Sequence, residues 1–151
     1  MRAFRFRLDQ ALRWRATQVE LEKARVGIAA GRLAALRVEA DGRRQELKDS
    51  ARQIGAGTTG SALESLAVWM DRTRRRILEL EKQTLEAERA LTAQMQLLVE
   101  ANRKHLLLEN LERTERARWQ VAFSRELEAF AGEAFLGRLQ SKGGRARSSG
   151  G

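Results

Sequence analysis

The chain has 151 residues and a net charge of +9, with 42% hydrophobic and 32% charged residues and with neither Pro nor Cys. Without Cys, the sequence excludes disulfide scaffolds, thiolate metal sites and cysteine nucleophiles. The absence of Pro favours few turns and long helices, because a Pro inside a helix costs about 3 kcal/mol. The composition therefore predicts an all-α protein built from long elements.

No stretch reaches the roughly 18 consecutive apolar residues that a membrane span requires, and no apolar segment follows the arginines of residues 1–15. We therefore expect neither a transmembrane segment nor a secretory signal peptide. Basic residues outnumber acidic ones in residues 1–54 and 141–151, whereas residues 61–140 are balanced. This excess favours nucleic acid or an acidic surface as a partner.

A first helix is predicted over about residues 8–54. Its apolar residues recur at heptad spacing, which is typical of a helix that packs lengthwise against another helix. This column consists of Leu12, Val19, Val26, Leu33, Ala40, Leu47 and Ile54, supported by Leu8, Ala16, Ala30 and Ala51.

A second uncharged stripe runs along the same helix, two residues and therefore about 200° away from the first column. Its members are Trp14, Thr17, Leu21, Ala24, Ile28, Gly31, Ala35 and Val38. One interpretation is a solvent-facing surface of small residues with a few tolerated large ones. The other is a docking face for a third helix from a partner, which would approach closely over the small residues. Both interpretations stay open.

A turn is predicted at residues 55–60, and the capping-box pattern of Ser61 and Glu64 marks the helix start that follows. The turn also matches G-x-G-x-x-G, but a dinucleotide site needs a β-strand before the glycines, and a helical pattern precedes them here. Because the connection is short, the two helices are expected to run antiparallel.

A second helix is predicted over about residues 61–139. An uncharged column alternates spacings of three and four residues, as in a left-handed coiled coil. It comprises Leu63, Leu66, Met70, Thr73, Ile77, Leu80, Thr84, Ala87, Leu91, Gln94, Leu98, Ala101, His105 and Leu108. Beyond Leu108 the same register would place glutamates in the column, so the coil should end there.

The second helix should then overhang the first over about residues 109–139. A looser apolar stripe continues through Trp119, Phe123, Leu127, Phe130 and Ala134. Residues 141–151 offer almost nothing to bury and are expected to form a disordered basic tail. The fold class predicted is all-α: a long antiparallel two-helix coiled-coil hairpin in a single domain, residues 1–140, with an overhanging C-terminal helix.

Such a hairpin has no interior for catalysis, so we expect no enzyme activity, no cofactor and no metal site. His105 stands alone in the column and is interpreted as a polar residue that helps to fix the register. The arginines at 72 and 74–76 precede an apolar column, as in a DNA-reading basic region, but Thr73 is the only uncharged polar residue among them. A solvated face is preferred, with an acidic protein or nucleic acid as the alternative partner.

The opening Phe4-Arg5-Phe6-Arg7-Leu8-Asp9-Gln10-Ala11-Leu12 resembles the F-x-F-x-L-x-x-x-L start of the flagellar FliJ family. These are small coiled-coil proteins of the flagellar type III export apparatus. Residues 77–82 are similar to the mid-helix Leu-Glu-Lys region of the family, and residues 103–131 are similar to its C-terminal helix. Together the likeness covers most of residues 4–131.

The resemblance implies a long antiparallel two-helix coiled coil similar to the stalk subunit of rotary ATPases. It implies that one end enters the ring of the export ATPase, that the hairpin body contacts the membrane export gate, and that export chaperones also bind. The protein would then be cytoplasmic and peripherally associated with the membrane export apparatus.

The resemblance and the second stripe of the first helix together give two sets of candidate partner-binding residues. Those expected to contact the ATPase are Phe4, Phe6, Trp119, Phe123, Leu127 and Phe130, with packing among the aromatic residues or on a second copy as the alternative. Those expected to contact the export gate or a third helix are Trp14, Leu21, Ile28, Trp69 and Arg76. The rival functions are a stalk of a non-flagellar type III secretion system, a basic hairpin that binds nucleic acid, and a homodimeric rod.

Overall fold

The structure is a computed structural model of the chain and describes residues 2–55 and 57–148. It contains two α-helices packed against each other, α1 (Asp9–Arg52) and α2 (Gly60–Ser148), and no β-strand occurs in the described residues. The prediction of an all-α protein with two long helices is therefore confirmed.

The chain enters α1 through a non-helical segment, residues 2–6, and a turn. The backbone N–H of Asp9 donates to the carbonyl of Phe6 at 3.2 Å, and the helix begins there. The Asp9 carboxylate in the first turn and Arg52 in the last turn match the partial charges at the two helix ends, which favours both boundaries.

Thr59, and not Ser61, caps α2. The amide of Ala62 donates to the Thr59 hydroxyl at 3.4 Å, and the amide of Leu63 donates to the Thr59 carbonyl at 3.0 Å. The capping-box prediction was thus wrong by two residues. Thr59 serves because its hydroxyl satisfies a free amide of the first turn as a Ser61 hydroxyl would, and α2 already begins at Gly60.

Residues 141–148 were predicted to be disordered, but in the structure they are helical, because α2 continues to Ser148. Once a helix is formed, each added residue gains a hydrogen bond without a new nucleation cost, and no Pro interrupts the segment. Arg145 and Arg147 lie in the last turn, where cations are favoured. Residues 149–151, the rest of that prediction, lie outside the described residues.

The chain divides into two compact units, Arg15–Arg103 and, separately, Met1–Trp14 with Lys104–Gly151. In Arg15–Arg103 the core consists of side chains from the two helices that face each other. The buried apolar residues of this unit are Val19, Leu33 and Ala40 from α1 and Ile77, Leu80 and Ala87 from α2. Leu80 is 0% exposed, and all six belong to the columns predicted from the sequence. Ile54 and Leu63, at the turn ends of those columns, are exposed.

The second line of the α1 core differs from the prediction. Ala30 and Ala51 are exposed, and the buried or half-buried side chains lie one residue earlier in each repeat. These are Arg15, Glu22, Ala29, Leu36, Arg43 and Ser50. The reason is geometric. Residues that face a partner helix recur at alternating steps of three and four, so the residue three positions after each column member also faces α2.

Polar contacts connect the helices within this unit. They include Glu22 with Gln94, Arg37 with Glu88, Glu39 with Arg76, and Arg44 with Glu81. The three ion pairs have N···O distances of 2.9 to 3.0 Å. Glu22, the earliest α1 residue in this set, contacts Gln94, the latest α2 residue. The two earliest α2 residues, Arg76 and Glu81, contact Glu39 and Arg44, which lie late in α1.

Candidate functional site

An aromatic cluster forms in the unit made of Met1–Trp14 and Lys104–Gly151. The rings of Trp119 and Phe123 stack with centroids 5.1 Å apart, and Phe4 tilts against Trp119 at 6.0 Å. The indole Nε1 donates to the carbonyl of Arg2 at 3.2 Å, and the Arg116 guanidinium lies 4.8 Å from the centre of the Phe4 ring. The cluster therefore holds the non-helical N-terminal segment against α2.

The cluster accounts for part of the residue set assigned to the ATPase. Phe6 is buried, and Phe4, Trp119 and Phe123 are half-buried. For Phe4, Trp119 and Phe123 the structure has the packing arrangement that stood as the alternative to partner binding. Leu127 and Phe130, in contrast, are 53% and 72% exposed.

Every side chain of residues 124–147 is exposed. The large apolar residues of this segment are Leu127, Phe130, Phe135, Leu136 and Leu139. At 100° per residue they surround α2 with no gap wider than about 120°. Sequence reasoning missed the last three because it followed a single stripe; the signal was the high apolar content of residues 127–139 at every helix angle.

The second stripe of α1 lies in the open. Leu21, Ile28 and Val38 are exposed, Ile28 to 73%, and Trp14 in the other unit is also exposed. A Cβ placed on Gly31 would meet no atom within 4 Å outside the adjoining residues and backbone of its own helix. The stripe is therefore not part of the packing between α1 and α2.

A groove runs beside this stripe between α1 and α2, and we call it the arginine groove. Its lining residues are Arg25, Ile28, Ala29, Arg32, Glu86, Ala87, Ala90 and Gln94. Alanines on both helices leave the recess, because they fill less space than the leucines found elsewhere along the core. Two guanidinium groups stand on its α1 side, and one carboxylate stands on its α2 side.

A second exposed apolar line was missed on α2. Leu78, Leu85 and Val99 are exposed and recur at multiples of seven residues, with the exposed Thr92 at the remaining heptad position. The signal in the sequence was the exact repeat immediately following the predicted column at positions 77, 84, 91 and 98. This line therefore offers a second candidate contact surface.

Arg76, assigned to the export gate, is engaged between the helices. Its guanidinium donates two hydrogen bonds to Glu39, at 2.9 and 3.3 Å, and lies 3.3 Å from Glu79. The hydrogen bond to Glu39 is the main reason that the pKa of Arg76 is raised above its ordinary value. Trp69, the other α2 candidate, is half-buried, and its carbonyl accepts a hydrogen bond from Thr73 at 2.9 Å.

Two polar side chains occupy packing positions. Glu22 is buried, accepting hydrogen bonds from Gln94 and, at 2.9 Å, from Arg25. In the other unit, His105 Nε2 lies 3.0 Å from Glu109, while its buried Nδ1 has no hydrogen-bond partner in the part of the chain that the structure describes. Both carboxylate oxygens of Glu22 therefore have hydrogen-bond partners, whereas among the described residues His105 has a partner on one ring nitrogen only.

Across residues 2–55 and 57–148, no group of three or more metal-ligating side chains is brought together. No helix within those ranges is long and apolar enough to cross a membrane. No protein-family model, curated protein or solved structure matches this chain.

Proposed function

We propose that this chain is a non-catalytic stalk or adaptor of the flagellar type III protein export apparatus. In this proposal it is cytoplasmic and associates peripherally with the membrane export apparatus. It binds the export ATPase ring through residues 124–147 and the export gate through the packed helices, and export chaperones also bind it. Its architecture is an antiparallel coiled-coil hairpin with an overhanging α2.

The polar contacts between the helices support the antiparallel arrangement. Arg76 and Glu39 each precede a buried column residue, Ile77 or Ala40. Arg44 and Glu81, which lie 3.0 Å apart, each follow a packing residue, Arg43 in α1 and Leu80 in α2. Pairing of like heptad positions is what two antiparallel helices bring together along the edges of a coiled coil.

The observation that carries the proposal is that large apolar residues occur on all sides of α2 over residues 127–139. A helix that is apolar all round is normally buried on all sides, yet these side chains are exposed in the chain alone. The opening of a ring is a partner that can surround a single helix. The N-terminal motif that resembles the FliJ family then acts through the aromatic cluster, which keeps residues 2–6 against α2.

The test is binding to a purified flagellar export ATPase, measured together with ATP turnover. Phe130→Asp and Leu136→Asp lie on different sides of the helix, so each alone should weaken binding by about tenfold or more if the helix is surrounded. Val68→Asp changes a comparably exposed apolar residue outside the segment and should bind as the wild type does.

If only one of the two substitutions weakens binding, the partner contacts one face of the helix and does not surround it. Equal binding by all variants would remove residues 124–147 from the interface. A non-flagellar type III secretion ATPase, assayed in parallel, separates the rival stalk function. Nucleic-acid binding is recognised by its steep loss between about 50 and 200 mM salt.

The gate contact is assigned to the exposed stripe of α1, with Leu21 and Ile28 as its large residues and Trp14 as a further candidate. Arg76 is held by Glu39 and serves the pairing of the helices, so its contribution to the gate surface is secondary. Ile28→Asp should reduce binding to the export gate and leave ATPase binding unchanged.

A further inference from the structure

The arginine groove is a recess with a specific charge pattern. Arg25 and Arg32 lie seven residues apart on α1, which is about 10.5 Å along a helix. Arg32 has no ion-pair partner within the described ranges, and Arg25 keeps more than half of its side chain exposed while donating to Glu22. Between and beside them the floor is apolar, formed by Ile28, Ala29, Ala87 and Ala90.

The exposed part of α2 carries the complementary pattern. Leu127, Phe130 and Ala134 lie at i, i+3 and i+7 and so share one face of the helix. Glu126 and Glu133 flank that face on one side and are also seven residues apart, about 10.5 Å. From residue 126 to residue 137 the chain has acidic residues and no basic one.

We propose that residues 126–137 of one copy of this chain dock into the arginine groove of a second copy. Phe130 enters the alanine-lined recess, and the two glutamates pair with Arg25 and Arg32. Glu86, on the α2 side of the groove, repels acidic groups, so it directs the acidic edge of the incoming helix toward α1. Each copy carries both halves of the contact, and each contact joins two different surfaces of the chain.

The contact goes beyond the proposed function and does not depend on it. Both use the same exposed helix, so a copy docked on another copy cannot present residues 126–137 to the ATPase. Self-association depends on the face that contains Phe130, whereas Leu136 lies elsewhere on the helix and matters only for a surrounding partner. Leu136→Asp should therefore leave self-association unchanged.

The experiment is sedimentation equilibrium of the full chain from about 1 to 100 µM, the range of weak specific association. A groove variant, Arg25→Glu with Arg32→Glu, places like charges on both sides of the contact. A segment variant, Glu126→Arg with Glu133→Arg, makes the docking segment basic and so places it against the arginines of the groove. Each variant alone should associate at least about tenfold more weakly than the wild type, because like charges at an interface edge are repulsive.

Mixing the two variants restores opposite charges at both kinds of contact, so the mixture should associate as the wild type does. The matched control is Lys82→Glu with Arg89→Glu, which removes the same charge at the same seven-residue spacing on an exposed face of α2. This control should associate normally, and all variants should keep the helical circular dichroism signal of the wild type.

Four results would overturn the inference: a wild type that stays monomeric to 100 µM, variants that associate unchanged, a mixture that does not recover, or a control as defective as the groove variant. Self-association lost in Phe130→Asp and kept in Leu136→Asp supports it further. These outcomes are read without the ATPase, so they stand whether or not the export function is correct.

Discussion

Two parts of α2 use apolar residues in opposite ways. In Arg15–Arg103, α2 side chains including Ile77 and Leu80 are buried against α1, and the exposed apolar residues of the same stretch, such as Leu78, lie outside that packing. In residues 124–147 no side chain is buried, although Phe130 and Leu136 are as apolar as the core. The first pattern stabilises the fold, whereas the second leaves a surface that only another molecule can cover.

The largest test of this difference compares two leucines. Leu80→Ala should lower the free energy of unfolding by about 2–5 kcal/mol, because a fully buried leucine leaves a cavity. Leu136→Ala should change it by less than about 0.5 kcal/mol, because the side chain contacts solvent. Urea unfolding followed by circular dichroism at 222 nm measures both. A large loss for Leu136→Ala would mean that residues 124–147 are covered in solution.

A second test concerns the polar pair inside the packed line of Arg15–Arg103. Gln94→Ala removes one hydrogen-bond donor from the buried Glu22 and should cost about 1–3 kcal/mol, since a buried acceptor loses its partner. Replacing both residues by leucine should cost less than that single change or even stabilise the helices.

The comparison of the single and double variants decides what the pair does. If the double variant is stable but sediments as a mixture of species, the pair serves to specify one register between the helices. If the double variant is less stable than Gln94→Ala, the hydrogen bonds themselves contribute stability that leucines do not replace.

The packing of α2 was predictable from the sequence, and half of the packing of α1 was not. The α2 column avoids charge at every position to Leu108, so its spacing alone identifies the buried line. In α1 the second line contains Glu22 and Arg43, which a search for uncharged residues rejects. Glu22 is admitted because Gln94 and Arg25 donate to it, and arginine can bury its stem while its charge stays in water.

Among the candidate partner-binding residues, too, some placements were predictable from the sequence and others were not. The outward direction of Leu21 and Ile28 followed from their offset from the first column, and both are exposed. The fate of Phe4 and Trp119 did not follow, because residues 2–6 lack a repeat that would place them against α2. Non-helical segments are positioned by individual contacts, which spacing along the chain does not encode.

The smallest test concerns the open face of α1. Gly31→Ala should raise the free energy of unfolding by about 0.5–1 kcal/mol, because Ala is the better helix former and restricts the unfolded chain. A Cβ at this position meets no atom within 4 Å outside the adjoining residues and backbone of its own helix, so no clash offsets the gain. Urea unfolding of the purified chain measures the change. Ala35→Gly on the same stripe is the reverse control and should lower the free energy of unfolding by a similar amount.

If Gly31→Ala destabilises the isolated chain, this face packs against something in solution, and the division between a buried line and open faces fails for α1. If it stabilises the chain and weakens binding to the export gate, glycine is retained there for close approach of a partner, at a cost in helix stability.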